Sequence, residues 1–241
     1  MRRAFAFLSV LGGAATPTPM TFAWFPFVGA VLGLVVGGAW WASDRLWPAG
    51  VAAVVAVIVD LVLTGLLHFD GLADAGDGLL APMPRERRLA AMTDPAIGAF
   101  GLVSVAAILL LRVSALAATP PSILAIAGLW CASRTSMLAI SLLLPYARGD
   151  GIVRSFLGAA PRSRAHRRLL EATVGIGLLA AAALLAGARS RRGIAALGAE
   201  LATIAVVAVL SWRRVGGYTG DVLGASGVVG ETLGLLVLAL R

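Results

Sequence analysis

The stretch LLHFDGLADAGDGLL, residues 66–80, decides how the chain is read. It sets a histidine and three aspartates at the end of a run, 51–68, that is otherwise almost wholly apolar. Asp70, Asp74 and Asp77 are three of only 12 acidic residues in 241. Spaced i, i+4 and i+7, they share one face of a helix. Carboxylates that close repel one another unless a cation lies among them. Oxygen donors without converging thiolate or imidazole suit Mg²⁺, which commonly takes one or two carboxylates together with substrate phosphates. Gly71, Gly76 and Gly78 interrupt the pattern, each weakening a helix by about 1 kcal/mol relative to alanine. Their expected benefit is access, because a phosphate or ribose can approach a backbone without Cβ atoms. The competing reading is a solvated helix end with helix-breaking glycines. His68 is a candidate catalytic group, set against its reading as an anchoring or packed interfacial residue.

The composition supplies the membrane. Hydrophobic residues make up 59% of the chain and charged residues 13%, with a mean hydropathy of +0.93. Soluble domains carry about 25% charged residues, so the class is an integral membrane protein. Crossing the hydrocarbon core takes about 20 mostly apolar residues. Seven segments meet that requirement: 22–43, 51–68, 98–118, 122–145, 169–188, 194–212 and 222–240. The expected fold is an all-α, polytopic bundle of about seven transmembrane helices, a single domain over 1–241 with the lipid bilayer around it. The net charge of +8 is carried by arginine without any lysine. With no soluble basic domain present, nucleic acid is not an expected partner. The single cysteine, Cys131, excludes an intramolecular disulfide framework and a Cys-based zinc site. The first residues, MRRAFAFLSVLGGAATPTP, have the outline of a signal peptide. Their apolar run is short and spans follow throughout, so they are kept in the mature chain.

Arginine counts orient the bundle. With the N-terminus inside, the inner connectors hold 13 arginines and the outer ones 5, while Arg112 and Arg134 fall within spans. The expected topology is therefore N-terminus cytoplasmic. The turn ARSRRG at 188–193 runs against the bias by placing three arginines outside. In this orientation the aspartate cluster, TDPAIGAFG, YARGDG and GGYTGD all reach the cytoplasmic face, where an active site at a membrane surface would lie.

Each of these segments adds candidates. PMPRERRLAAM reads as a short interfacial helix beginning at Pro84, its Arg85, Arg87 and Arg88 directed to lipid headgroups rather than substrate phosphates. Asp94, in an Asp-Pro turn, is a second source of carboxylate. Arg134 near the bilayer midplane costs at least about 2.5 kcal/mol and needs a partner, either Asp60 or a substrate phosphate. Arg148 and Asp150 stand level with the aspartate cluster, whereas the tract Arg162 to Arg168 reads as a positive-inside anchor. Thr219, Gly220 and Asp221 lie at the mouth of the last span and suit an anionic ligand with its metal. Glu231 lies ten residues deeper, about 15 Å of helix rise, and a glutamate at that depth marks a functional site.

These segments, taken in order, resemble the adenosylcobinamide-GDP ribazoletransferase (cobalamin-5'-phosphate synthase) family over essentially the whole chain. FPFVGAVLG at 25–33, HFDGLADAGDGL at 68–79, MTDPAIGAFG at 92–101, Ser133-Arg134, YARGDG at 146–151 and GGYTGDVLGA with Glu231 follow the family's sequence of motifs. Two departures stand out. LGGAATPTP replaces an Arg-Leu-Pro-type segment near the N-terminus, and Tyr218 occupies a position where glutamine is common.

The resemblance implies a magnesium-dependent phosphotransferase in the bacterial cytoplasmic (inner) membrane, its active site facing the cytoplasm. Its substrates would be adenosylcobinamide-GDP and α-ribazole or α-ribazole 5'-phosphate, and its leaving product GMP. In that reaction Asp70, Asp74 and Asp77 would hold Mg²⁺, with Asp221 or Asp94 completing the shell. One carboxylate or His68 would accept a proton, and Arg134 and Arg148 would contact the leaving phosphate. Asp150, Thr219, Gly220 and Glu231 join Asp94, Arg134 and Arg148 as candidate substrate-binding residues. A homo-oligomer is left open.

Two rival readings are weaker. A CDP-alcohol phosphotransferase would have arginine where Asp74 stands and a second acidic motif that is absent. A transporter relaying ions through Asp60, Arg134, Glu200 and Glu231 would not concentrate its acids at one surface, and no inverted repeat is apparent.

Overall fold

The computed structural model describes residues 1–13, 15–16, 18–148 and 163–240. Among them the secondary structure is helical, apart from an isolated bridge between Tyr146 and Tyr218. The helices are α1 (Arg2–Leu8), α2 (Phe25–Ser43), α3 (Ala49–Thr64), α4 (Leu67–Leu80), α5 (Arg85–Ala91), α6 (Ala99–Ala117), α7 (Ile123–Leu143), α8 (Arg164–Val215) and α9 (Gly220–Leu238). The all-helical, multi-pass membrane architecture expected from composition is what forms. Five helices are long and apolar enough to cross a bilayer, or six if α3 and α4 count as one broken span.

The centre of the bundle is α7, in which every residue from Ala125 to Leu138 is buried. It packs antiparallel to α2 through Gly29, Gly33 and Gly37, spaced by four. A Cβ on these glycines would fall 2.4 Å from the Trp130 carbonyl, 2.6 Å from Ala127 Cα and 2.9 Å from Ile123 Cα. Small residues at this spacing let backbones come close where no hydrophobic effect drives helices together in lipid. By contrast α6 turns Leu102, Val103, Leu110 and Leu111 outward, as a lipid-facing helix does.

The 52 residues of α8 are not one rod. Arg189 and Ser190 leave the helical region, with φ of −144° and 47°. A Cβ on Gly193 would lie 2.0 Å from the Leu185 carbonyl, whereas eight residues of straight helix span about 12 Å. The chain doubles back here, so α8 supplies two of the expected spans. The ARSRRG turn is real, and Arg189 donates to the Pro120 carbonyl at that end of the bundle.

The expected span 51–68 needs correction. It ends at Thr64, because Gly65 and Leu66 both adopt left-handed φ, 60° and 62°. Leu66 N–H returns to the Leu61 carbonyl at 2.9 Å and Gly65 N–H to Val62 at 3.2 Å, a Schellman closure. The next helix, α4, leaves at 90° to α3 and packs against α9 and α6. Its glycines are also reassigned. A Cβ on Gly71 would meet the Asp221 backbone at 2.9 Å, on Gly76 the Gly101 Cα at 3.1 Å, and on Gly78 the Met92 side chain at 2.5 Å. They admit neighbouring protein segments, not a ligand.

Candidate active site

The aspartate-bearing helix, the start of α6, the end of α7, the end of α8 and the start of α9 meet at one end of the bundle. The bridge between Tyr146 and Tyr218 ties two of these segments. Tyr218 N–H donates to the Pro145 carbonyl at 3.0 Å and Ala147 N–H to the Tyr218 carbonyl at 2.9 Å, and the two rings meet edge-on at 5.5 Å. Gly217 is required for this approach, since a Cβ there would lie 2.1 Å from the Pro145 carbonyl. Tyr218 is 1% exposed, so the residue that departs from the family's pattern is a packed one.

Between these segments opens a cleft of about 280 Å³. Its polar lining is His68, Asp70, Tyr146, Arg148 and Asp221, with Gly220 and Gly224 bare of side chain, and its apolar lining is Phe7, Leu8, Phe25 and Met137 together with Leu67 and Leu223. Arg148 donates from Nη2 to Asp221 at 2.8 Å and to the Met92 carbonyl at 3.1 Å, while its buried Nε has no partner. Thr219 caps α9 by accepting from Val222 N–H at 3.2 Å, and its hydroxyl lies 3.2 Å from Asp221. The cap fixes Asp221 in the first turn of α9, where the helix dipole favours a carboxylate.

The three aspartates of α4 do different things. Asp70 lines the cleft. Asp74 is half-buried, and its carboxyl is pushed up to about 7 by that burial and by the neighbouring Asp221 and Asp70 charges, with Arg148 opposing. Asp77 faces α6, where its two oxygens accept from Gly98 N–H at 2.7 Å and Gly101 N–H at 2.8 Å. It thereby caps the helix that carries the TDPAIGAFG segment. Asp94 is exposed and accepts from Ala96 N–H at 2.9 Å, holding its own turn. Asp150 lies outside the described residues.

Arg134 and Glu231 sit beneath the cleft rather than in it, both about 1% exposed. Arg134 is ion-paired with Glu231. The partner weighed from sequence, Asp60, belongs instead to Arg112, at 2.9 Å. Arg112 also binds Glu231 at 2.8 Å and donates to Thr232 and the Val228 carbonyl, while Trp130 Nε1 donates to Asp60 at 3.0 Å. Arg112 was visible as a second intramembrane arginine, but only the tertiary fold aligns it with both acids. His68, 4% exposed, connects this network with the cleft. Burial, followed by the positive charges of Arg134 and Arg112, holds its imidazole well below the usual range, and Nδ1 lacks a partner.

Two further residues were missed. Phe7 and Leu8 form part of the wall although α1 carried only a short apolar run; the FAFL sequence was the sole signal. The arginines expected at lipid headgroups are also partly reassigned. Arg88 is buried and donates to the Gly78 and Leu79 carbonyls at the end of α4, and Arg85 donates to Val215. Both neutralise free carbonyls at helix ends.

Among the described residues no three His, Cys, Asp or Glu side chains converge to hold a metal by themselves. The donor set fits Mg²⁺ in its usual manner, since one or two carboxylates and a substrate's phosphates are enough. Asp70, Asp74 and Asp221 provide such carboxylates.

These features define a multi-pass helical membrane protein with a cleft of paired carboxylates and guanidinium at one end. The chain belongs to the cobalamin-5-phosphate synthase family, whose model matches residues 1–239. It is 34% identical over 233 residues to an adenosylcobinamide-GDP ribazoletransferase of Chlorobium phaeovibrioides, covering 95% of this chain and 91% of the relative. It is also 34% identical over 218 residues to the protein of that name from Escherichia coli K12, covering 89% and 85%. No solved structure matches significantly. Membership of this family makes the chain a transferase and, being membership of this family rather than another, displaces both rival readings.

Proposed function

We propose that the chain joins adenosylcobinamide-GDP to α-ribazole or α-ribazole 5'-phosphate and releases GMP, with the reaction taking place in the cleft. One observation carries the site assignment. Asp70, Asp221, Arg148 and His68, drawn from three distant motifs, line one cavity, and Asp77 fixes a fourth motif beside it.

In this reading a ribose hydroxyl of the acceptor attacks the phosphorus that carries the cobinamide. The new P–O bond forms as the pyrophosphate P–O bond breaks, and GMP departs with the bridging oxygen. Such transfers depend chiefly on positioning and charge neutralisation. One or two of Asp70, Asp74 and Asp221 would hold Mg²⁺ together with the substrate's phosphates, and the ion when bound would supply positive charge against the pyrophosphate. Arg148, with an unused Nε donor, contacts the leaving phosphate. His68, neutral and with Nδ1 unpartnered, is placed to accept the hydroxyl proton. Asp77 acts as an anchor for α6, and Arg134 with Glu231 supports the cleft floor. Arginine bias supports a cleft on the cytoplasmic side of a bacterial inner membrane.

The test is purified protein in lipid vesicles, supplied with adenosylcobinamide-GDP, α-ribazole and Mg²⁺. Cobalamin and GMP should form in equal amounts, and chelation should stop both. Absence of cobalamin under these conditions would overturn the reading, and turnover after complete chelation would remove the metal from it.

A further inference from the structure

Taking the acceptor to be α-ribazole, as proposed above, we propose that the apolar wall of the cleft, centred on Phe7, binds the acceptor's aromatic base. Phe7 thereby sets which lower base is incorporated.

The cleft has two kinds of lining. His68, Asp70, Arg148 and Asp221 supply charge and polar atoms, and Phe7 and Phe25, stacked on each other, give it an aromatic patch beside Met137. A nucleoside has two matching parts, a polar ribose whose hydroxyl must reach the reacting phosphorus and a flat base at the far end. Phe7 is half-buried and its ring lies 5.8 Å from that of Phe25 with 25° between the planes. Phe22 packs 4.6 Å from Phe25 behind them. This stack holds the Phe7 ring in place as a platform, and an aromatic base gains from offset or edge contact with such a ring beyond the area it buries. Met137, 2% exposed, adds a polarisable thioether, a group that makes favourable contacts at ring edges. Dimethylbenzimidazole presents two fused rings and two methyl groups without exocyclic hydrogen-bonding groups, and Phe7, Phe25 and Met137 match it in kind.

Size points the same way. A cavity of about 280 Å³ is at the lower end of small-ligand pockets, about 300 Å³, and matches a nucleoside. A corrinoid carrying a nucleotide is several times larger. It must present its pyrophosphate at the mouth and keep its macrocycle outside. The smaller substrate is thus the one enclosed, and the wall that encloses it has the means to select among bases.

The experiment compares wild type, Phe7→Ala and Phe7→Leu in vesicles; the leucine variant keeps apolar volume and removes only the ring face. KM is measured for α-ribazole and for adenosylcobinamide-GDP, and α-ribazole binding is measured separately by equilibrium dialysis without the second substrate. For Phe7→Ala, KM and Kd for α-ribazole should rise about tenfold, with KM for adenosylcobinamide-GDP within about twofold. Phe7→Leu should fall between. Wild type should favour the dimethylbenzimidazole riboside over the riboside of single-ring imidazole, and Phe7→Ala should narrow that preference. An equal rise in both KM values, a rise confined to adenosylcobinamide-GDP, or unchanged α-ribazole affinity in both variants would overturn the assignment. Weakened α-ribazole binding in a protein whose wild type forms no cobalamin would sustain the base site while removing the transfer reaction proposed for it.

Discussion

Arg148 and Asp221 meet at 2.8 Å in the polar lining of the cleft, each side chain only about one-fifth exposed (18% and 20%). The pair joins the end of the segment after α7 to the first turn of α9, so one guanidinium neutralises a carboxylate that a cation would otherwise occupy. Removing the arginine uncovers the acid and also deletes a phosphate donor. Arg148→Ala should lower kcat/KM by about 10²–10³-fold while tightening Mg²⁺ binding to the substrate-free protein. Arg148→Lys should recover only part of the rate, because an ammonium cannot serve Asp221, Met92 and a phosphate with one planar fork. Steady-state kinetics and Mg²⁺ titration check both.

Asp77 is expected to act on structure before chemistry. Asp77→Ala loses two charge-assisted hydrogen bonds at the N-terminus of α6, a loss of about 1–2 kcal/mol. Thermal unfolding in detergent should fall by roughly 5 °C, with Mg²⁺ affinity changed less than in Asp70→Ala. A larger fall in Mg²⁺ affinity than in Asp70→Ala would make Asp77 a direct ligand.

The network below the cleft should be the most sensitive point in the bundle. Arg112→Ala strips Asp60 of its ion pair, leaves Glu231 to Arg134 alone, and should destabilise by about 3–5 kcal/mol. Glu200 provides the contrast. It is fully buried and neither carboxyl oxygen has a partner, so Glu200→Met should be neutral or stabilising in the same unfolding assay.

Asp74 gives the cation-free protein a pH signature. Its carboxyl titrates near 7 in the fold and near 3.9 when unfolded. The folded state therefore holds a proton that the unfolded chain has already released. The stability this provides is full below about pH 4 and is lost as pH rises through 7. In EDTA, Tm should decline over that interval, and Asp74→Asn should flatten the decline. Mg²⁺ competes with the same proton, so its affinity should climb with pH towards 7 and level off above it.

Much of this arrangement was legible from the chain, for physical reasons that differ by feature. Lipid demands long apolar helices, so six of the spans were readable within a few residues. The 90° turn after Thr64 was not, because Leu66 has no intrinsic preference for positive φ and takes it in the company of Gly65. The aspartates on α4 were visible by type and spacing, but their roles depend on what lies opposite: a cleft for Asp70, two backbone N–H groups for Asp77. Arg134 announced that it needed an acid at midplane. That the acid is Glu231 and that Asp60 pairs with Arg112 follows from helix register across four helices, which local sequence does not contain. The glycines of α4 were noticed for their cost, but the protein surfaces they admit, at Asp221, Gly101 and Met92, belong to other segments of the chain.

The cleft draws its wall from Phe7 at one extreme and Gly224 at the other. Chains emerge from the ribosome N-terminus first, at about 5–20 residues per second. Phe7 and Phe25 are therefore synthesised well before Asp221, the carboxylate that shares their cleft. A chain interrupted just before α9 possesses most of the bundle but lacks the Gly220–Gly224 part of the cleft lining. The cleft is complete only once α9 has joined the bundle.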